Sequence, residues 1–248
     1  MALLPTTPSG DANAAEFSSA ADDVFGRIAG RYDLLCDLFS LGIHRLWKRR
    51  VARHIAREPW RCLLDAASGT GDVVLRVAQG GVAADQQVIA SDISPQMLAV
   101  ARRRAGPAAG SMEFRVMDAC ALAGVADASV DLYSMSLGLK ICERGQVLRE
   151  ALRVLRPGGR LVTLEASSIV WPRLHRAYLA YMRLCMPLIG YVATGGDASA
   201  YRYLLKGIED FPGAEALAQE MRDLGYTEVA FERLSLGIVA IHTARKPL

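Results

Sequence analysis

The stretch that decides the fold of this chain is Leu63-Leu64-Asp65-Ala66-Ala67-Ser68-Gly69-Thr70-Gly71-Asp72. Apolar residues lead into a loop with two glycines, and a helical pattern follows at 73–79. A buried strand, a tight turn and a helix in this order form nucleotide sites in open α/β sheets. A lone Gly-x-Gly pair is a weak signal, so the surrounding residues must decide which nucleotide is bound.

The glycine loop does not suit a dinucleotide. Such a site needs Gly-x-Gly-x-x-Gly, because its pyrophosphate lies against the amides of a helix N-terminus. Here Val74 stands at the third glycine position, and Asp72 places a carboxylate where a phosphate would lie. S-adenosylmethionine (SAM) has no phosphate, and its sulfonium and ammonium cations suit Asp65 and the carbonyl groups of the turn.

Acidic residues also follow the next two predicted strands. Asp92 ends the strand at 87–92, 21 residues after Gly71, a spacing at which a carboxylate accepts hydrogen bonds from both ribose hydroxyls. Asp118-Ala119 follows the strand at 112–117, where a side chain is placed to pair with an adenine amino group. Acidic residues at three successive strand ends favour a nucleoside site over a chance arrangement.

Strand and helix patterns alternate along the chain. Strands are predicted at 61–67, 87–92, 112–117, 130–136 and 160–166, and helices at 73–79, 95–105 and 144–155. The turn Pro157-Gly158-Gly159 ends the last of these helices, and two further strands, 227–234 and 237–243, form an antiparallel edge hairpin. The sequence therefore predicts an α/β, Rossmann-like fold with a mainly parallel seven-stranded sheet.

The N-terminal part predicts helices outside the sheet. Residues 1–13 have no periodicity and predict a frayed terminus, 14–31 has a helical pattern, and 32–42 is expected to be a break. We expect residues 1–58 to form a tail and helical cap, and 59–248 to form the cofactor-binding domain.

Residues 44–61 are a basic stretch with seven Arg or Lys residues against Glu58 alone. A basic amphipathic helix is predicted within it, ended by Pro59, and Trp47, Val51 and Ile55 form its apolar stripe. Three interpretations stay open: a solvated face on a packed helix, peripheral contact with an anionic membrane, and contact with nucleic acid.

Residues 167–209 are predicted to be an insertion. The strands near residues 166 and 226 are separated by far more chain than a crossover needs, and the helix predicted at 210–225 already supplies that crossover. The insertion is rich in large apolar side chains. It packs as a helical core, or it covers the carboxyl end of the sheet as a lid.

Composition narrows the class of protein. Of 248 residues, 52% are hydrophobic, but the longest uncharged run, 184–196, is interrupted by proline and glycine and is too short to span a membrane. Five cysteines lack a C-x-x-C pair, and four histidines lack metal-ligand spacing. We expect a cytoplasmic protein, free or peripheral on the membrane, with no bound metal.

Several motifs resemble known methyltransferases. The glycine loop, Asp92-Ile93-Ser94-x-x-Met97-Leu98 and Leu155-Arg156-Pro157-Gly158-Gly159-Arg160 resemble class I methyltransferases in general. More specific motifs resemble the ubiquinone/menaquinone biosynthesis C-methyltransferases, over about residues 24–243. These are Phe25-x-x-Ile28-Ala29-x-x-Tyr32-Asp33, Ser40-x-Gly42-Ile43-His44-Arg45-Leu46-Trp47-Lys48, Ser136-Leu137-Gly138-Leu139, Leu164-Glu165, Pro187-x-Ile189-Gly190, Ala200-Tyr201-Arg202-Tyr203-Leu204 and Gly237-Ile238-Val239-Ala240-Ile241-His242.

The resemblance implies SAM as cofactor, S-adenosylhomocysteine as product, and a polyprenylated hydroquinone or phenol as acceptor. Tyr178 on the insertion, with Tyr201 and Arg202 in the Ala200–Leu204 motif, is expected to contact that acceptor. The cofactor is expected to contact Asp65, Ala67, Gly69, Thr70, Gly71, Asp92, Ile93, Met97, Asp118, Ala119 and Ser136.

Two residues are candidates for catalysis. Tyr32 and Lys140 are expected to hold the phenolate of the acceptor while its ring carbon attacks the methyl group. The family typically has Arg-Asn where this chain has Lys140-Ile141, and glycine where it has Ser68. Lysine keeps the cation but loses the planar fork of arginine.

Other functions stay open at this point. They are methylation of a soluble aromatic metabolite, and a non-catalytic, SAM-binding role in a quinone-biosynthesis assembly. The insertion and the basic helix could instead serve a homodimer. The fourth strand ends in Ser134-Met135-Ser136-Leu137 and lacks the Asn/Asp-Pro-Pro-aromatic motif of base-methylating enzymes, so no nucleic-acid substrate is expected.

Overall fold

A seven-stranded sheet forms the centre of the protein. The computed structural model describes residues 29–194 and 199–248, with the side chains of 189, 190, 192–194 and 199–203 outside the description. The strands are β1 (Cys62–Ala66), β2 (Gln87–Asp92), β3 (Met112–Val116), β4 (Val130–Ser136), β5 (Leu155–Ala166), β6 (Thr227–Leu234) and β7 (Val239–Arg245). The helices are α1 (Tyr32–Ser40), α2 (His44–Ile55), α3 (Asp72–Gln79), α4 (Pro95–Ala105), α5 (Arg144–Val154), α6 (Pro172–Thr194), α7 (Ser199–Glu209) and α8 (Ala214–Asp223).

The order of the strands is β3-β2-β1-β4-β5-β7-β6. Strands β1 to β5 run parallel, and β7 is antiparallel to both β5 and β6. This confirms the predicted Rossmann-like α/β fold with its antiparallel C-terminal edge. The chain direction across the sheet reverses between β1 and β4, and the loops after these two strands meet where ligands bind in such sheets.

Helices cover both faces of the sheet. On one face α5 and α8 contribute buried residues such as Leu148 and Leu217, which pack against Tyr133 of β4. On the other face Val51 of α2 and Val74 of α3 pack against β1 and β2. The apolar stripe predicted on the basic helix therefore belongs to the core, because these side chains fill the layer between α2 and the sheet.

The predicted break at 32–42 is wrong in its first part. Residues Tyr32–Ser40 form α1, whose Leu35 is buried, and the chain reverses only at Leu41 and Gly42, both with positive φ. The helix predicted at 14–31 lies mostly outside the described residues; its last residues, 29–31, form a turn. The basic helix ends at Ile55, before Pro59.

Strand β5 begins earlier than predicted. It starts at Leu155, directly after α5, and contains Pro157-Gly158-Gly159 within a register shift against β4. Gly159 makes this bend possible, because a Cβ there would lie 2.8 Å from the carbonyl oxygen of Arg156. The crossover helix is also shorter than 210–225, since α8 begins at Ala214 and α7 precedes it as a separate helix.

The insertion consists of α6 and α7. Helix α6 packs against α1 and α7, and a cluster containing Met182, Met186 and Leu205 joins them to Phe39 of α1. Helix α7 also contacts the short 3-10 helix Leu139–Ile141 that follows β4. The insertion thus lies over the loop that carries Lys140. Within the described residues, no helix combines the length and the hydrophobicity that a membrane span requires.

Candidate active site

The loops after β1 and β4 touch at the reversal point of the sheet. A Cβ at Gly138 would lie 2.8 Å from the Cβ of Ala67, so only glycine lets the two loops approach this closely. Gly71 has φ +83 and lies against helix α4, where a Cβ would be 3.0 Å from the Cβ of Ala101. These glycines allow the turn that brings the expected cofactor residues together.

Asp65 lies beneath the glycine loop with both carboxylate oxygens engaged. Ser134 donates to Oδ1 at 2.5 Å, and Ser68 donates to Oδ2 at 2.9 Å. Burial raises the pKa of Asp65 to about 6, although both serine hydroxyls favour the charged form. Ser68, the residue that departs from the family's glycine, therefore supplies one of the two donors to this carboxylate.

Asp92 links the end of β2 to the glycine loop. Its carboxylate accepts hydrogen bonds from the amide of Gly69 at 2.8 Å and from the amide of Ser94 at 2.9 Å. Ser94 also caps α4 by accepting from the amide of Met97. Met97 is buried in the core, whereas Ile93 is half-buried beside Asp92. The amides orient the Asp92 carboxylate at the edge of the loop.

The predicted adenine residues follow β3. The amide of Met117 donates to the carbonyl of Asp92 at 3.1 Å, which holds this segment against the end of β2. Asp118 is half-buried and accepts from the amide of Cys120, while Ala119 is buried. The structure thus places Asp118 and Ala119 next along the sheet edge from Asp92.

Ser136 ends β4 with a buried hydroxyl oxygen that has no hydrogen-bond partner among the described residues. Native structures seldom leave a buried hydroxyl unsatisfied. An orphaned donor at a strand end, beside the glycine loop, suits contact with a bound polar ligand.

Thr70 connects the glycine loop to α1, and the sequence did not predict this contact. Its hydroxyl donates to Asp33 at 2.6 Å, and Arg104 of α4 donates to both the hydroxyl and the carbonyl oxygen of Thr70. Arg104 also pairs with Asp33 at 2.9 Å. The expected cofactor residue Thr70 is therefore held by the N-terminal helix as well as by its own loop.

Asp72 is neutralised inside the protein. Its carboxylate lies 2.9 Å from the ammonium of Lys48 and 2.6 Å from the guanidinium of Arg104. Burial opposes its charged form, but these two cations hold the pKa of Asp72 well below its ordinary value. The interpretation that Asp72 repels a phosphate therefore needs correction, since its charge is already paired.

Tyr32 and Lys140 both interact electrostatically with the Cys36 thiol. The interaction with the Cys36 thiol is the largest cause, and burial the second, of a pKa of Tyr32 well above its ordinary value. The carboxylates of Asp92 and Asp33 act in the same direction. Lys140 is electrostatically coupled to the same thiol, and burial lowers the pKa of its ammonium group. The two expected catalytic residues, 108 positions apart in sequence, thus act on the same thiol.

The expected acceptor residues lie on the insertion. Tyr178 is half-buried in the cluster that joins α6 to α1, and burial raises its pKa to about 12. Tyr201 and Arg202 lie on α7, and their side chains are outside the described part of the chain. Among the described residues, no group of His, Cys, Asp and Glu has the arrangement of a metal site.

This edge of the sheet combines three acidic strand ends, a glycine turn and an orphaned hydroxyl, which fits a nucleoside bearing cations better than a pyrophosphate. The sequence matches the ubiE/COQ5 methyltransferase family over residues 13–246. The chain belongs to this family. Its fold and its membership make it a methyltransferase with the architecture of the SAM-dependent enzymes.

Relatives extend over almost the whole chain. The "Ubiquinone/menaquinone biosynthesis C-methyltransferase UbiE" of Acidiphilium cryptum is 42% identical, covering 89% of this chain and 88% of the relative. The mitochondrial "2-methoxy-6-polyprenyl-1,4-benzoquinol methylase" of Schizosaccharomyces pombe is 37% identical, covering 90% and 78%. A SAM-dependent methyltransferase from Thermotoga maritima shares the fold with a TM-score of 0.63 at 18% identity, covering 91% of this chain and 99% of that one.

Proposed function

We propose that this ubiE/COQ5 family member transfers a methyl group from SAM to a ring carbon of a polyprenylated hydroquinone or phenol in quinone biosynthesis. Two relatives are named for that chemistry. The structural observation that supports the proposal is that the loop carrying Lys140 touches the glycine loop, and that Lys140 and Tyr32 both interact with the Cys36 thiol. A phenol-facing pair next to a cofactor-binding edge is what ring methylation requires.

The cofactor would be held by residues at the carboxyl ends of β1 to β4. Asp92, whose carboxylate is fixed by the Gly69 amide, would accept from the ribose hydroxyls, Asp118 and Ala119 would contact the adenine, and Ser136 offers an unsatisfied hydroxyl. Asp65 and the loop carbonyls suit the ammonium group. When bound, SAM supplies an electrophilic methyl group on a sulfonium, and S-adenosylhomocysteine leaves as a neutral thioether.

Tyr32 and Lys140 would hold the acceptor oxygen. A raised pKa keeps the Tyr32 hydroxyl protonated, so it donates a hydrogen bond to the phenolate, while the Lys140 ammonium supplies the positive charge. The acceptor hydroxyl would lose its proton to solvent as the acceptor enters the site. The neighbouring ring carbon would then form the new bond to the methyl group while the methyl–sulfur bond breaks, and the proton of that carbon would pass to solvent as the product leaves. Catalysis is mainly positioning and charge stabilisation in a dry site.

The apolar surface around α1 and α6 suits a prenyl tail. Large apolar side chains are exposed on both helices, and a long isoprenoid chain needs such a cover. The residues concerned are Leu34, Leu38, Tyr181, Leu184, Leu188 and Tyr191. We therefore propose the insertion, residues 167–209, as the lid of the acceptor site.

A peripheral membrane contact belongs to the same proposal, but the structure changes what supports it. Within residues 44–61, Arg45 pairs with Asp37 and Arg50 pairs with Glu232, so part of the basic charge faces carboxylates of the protein itself. The exposed Leu41 precedes this helix, and the exposed Leu46 lies in its first turn. Vesicle sedimentation with and without anionic lipid distinguishes a membrane contact from a homodimer contact at this face.

The test is methyl transfer to a panel of prenylated quinols and short polyphenols, followed by mass spectrometry. We expect C-methylated prenylated product from the wild type, a turnover loss of at least about a hundredfold for Lys140→Met, and partial activity for Lys140→Arg. Methylation of only short phenols would support a soluble aromatic metabolite instead. Cofactor binding without any methylated product would support the non-catalytic role.

A further inference from the structure

Glu165 is a fully buried carboxylate at the end of β5 that the proposed chemistry has not used. Its Oε1 accepts from the amide of Leu139 at 2.5 Å, and the backbone of Lys140 and Ala166 also favours the charged form of this carboxylate. Its Oε2 is buried without a hydrogen-bond partner among the described residues and lies 3.9 Å from the ammonium of Lys140. A buried carboxylate with a free oxygen beside a buried ammonium needs a functional explanation.

The loop between β4 and α5 is shaped around this carboxylate. Leu137 adopts φ +60, and its amide donates to the carbonyl of Leu164 at 2.7 Å. The ammonium of Lys140 folds back to donate to the carbonyl of Leu137. On the outer side, Gly207 of α7 lies so close that a Cβ there would be 2.9 Å from the carbonyl oxygen of Lys140. The ammonium and the backbone carbonyl group of Lys140 are therefore each held by a neighbour.

We propose that Glu165 is the positioning residue of Lys140: its carboxylate holds the loop through the Leu139 amide and keeps the buried ammonium charged and aimed at the acceptor oxygen. This inference rests on the proposed function in assigning Lys140 to the acceptor oxygen. The effect of the Glu165 carboxylate on the Lys140 ammonium does not depend on that assignment. A fixed carboxylate limits the positions that the flexible lysine side chain adopts.

Several charged or titratable groups act on Lys140. Burial lowers the pKa of Lys140, and the Glu165 charge opposes that effect, as do the thiols Cys36 on α1 and Cys142 after the loop. Lys48 on α2 acts in the same direction as burial. In turn, burial raises the pKa of Glu165 and Lys140 lowers it. Glu165 is the largest single influence that keeps the ammonium protonated.

Glu165→Gln removes the charge of the side chain and keeps its shape. The glutamine amide oxygen still accepts from Leu139, so the loop is retained, whereas the negative charge 3.9 Å from the Lys140 ammonium is removed. Glu165→Asp is the second variant, because it keeps the charge on a shorter side chain. Thermal melting and SAM titration calorimetry show whether each variant is folded and retains its cofactor site.

Lysine NMR gives a readout that does not depend on activity. The chain has only four lysines, Lys48, Lys140, Lys206 and Lys246, so ¹³Cε-lysine spectra are simple, and Lys140→Arg assigns the signal of interest. We expect the pKa of Lys140 to fall in Glu165→Gln, because the negative charge beside the ammonium is lost, and to fall by less in Glu165→Asp. An unchanged Lys140 titration in a folded Glu165→Gln variant would overturn the proposal.

Activity gives the second readout. In Glu165→Gln the basic limb of the kcat/KM profile should move to lower pH by the same amount as the NMR titration, with the KM for SAM changed less than about twofold. A uniform loss of activity with an unmoved profile would mean that Glu165 is only structural. If the wild type methylates no acceptor, the proposed function fails, while the NMR titration still decides the role of Glu165.

Discussion

Replacing Asp72 with asparagine should destabilise the protein strongly. Asp72 is buried at the first position of α3 and contacts the ammonium of Lys48 and the guanidinium of Arg104. Lys48 is itself buried, with 9% of its side chain exposed, so the variant leaves an ammonium without its carboxylate in the interior. Breaking a buried pair on one side typically costs about 3–5 kcal/mol.

That loss converts to a clear change in melting temperature. Unfolding entropies scale with chain length, so for a chain of 248 residues each kcal/mol corresponds to about 2 °C. Asp72→Asn should therefore lower Tm by about 6–10 °C. Urea unfolding followed by circular dichroism gives the same loss as a free energy, provided that the m-value is unchanged.

Asp127→Asn is the matched control. Asp127 also lies 2.5 Å from an arginine, Arg153, but 76% of its side chain is exposed. Exposed pairs contribute only about 0–1 kcal/mol. The same substitution in two ion pairs of similar length thus tests whether burial, rather than pairing alone, sets the cost. A loss for Asp72→Asn no greater than that for Asp127→Asn would refute this reasoning.

The pH dependence supplies a second check on Asp72. Burial disfavours the charged form, but Lys48 and Arg104 together hold the folded-state pKa of Asp72 below its unfolded value. The stabilisation is therefore fully present above the unfolded pKa and is lost as the pH falls through the folded one. Between pH 7 and pH 3 the wild type should lose more stability than Asp72→Asn, whose acid dependence should be flatter.

Three further outcomes are expected. SAM affinity, measured by calorimetry, should fall as the pH drops through about 6, because Asp65 becomes protonated there, and Asp65→Asn should lack this dependence. Gly207→Ala should raise the KM for the acceptor several-fold through its contact with the Lys140 loop, whereas Gly110→Ala, with open space around it, should not. Trp47→Phe should cost about 1 kcal/mol in urea unfolding, because it removes a 2.8 Å hydrogen bond to Ser235.

Local signals explain why most of the sheet was predictable. The strands 87–92, 130–136 and 227–234 and the helix 95–105 agree residue by residue, since turns, proline or acidic residues mark their ends. Helix α1 was missed because contacts with other parts of the protein stabilise it. Leu35 is buried and Asp33 pairs with Arg104, but neither contact has a signature within residues 32–40.

The sequence likewise predicted some features of the site and missed others. Carboxylates at strand ends follow from topology, so Asp92 and Asp118 were predictable as neighbours. The cations that pair with Asp72 were not, because Lys48 and Arg104 come from α2 and α4 and look like ordinary members of basic stretches. Glu165 lies in a short motif of the resemblance, but only the structure shows that its carboxylate meets the Lys140 loop.

Arg104 explains why the N-terminal helix and the cofactor loop must be positioned together. Its planar guanidinium contacts the Asp33 carboxylate, the Asp72 carboxylate and both oxygens of Thr70. Such a rigid fork satisfies all of these acceptors only when α1 lies against the glycine loop. Because Tyr32 directly precedes Asp33, the contact that orders the glycine loop also holds the residue that we propose to face the acceptor. The proposed cofactor and acceptor residues are therefore held by the same arginine.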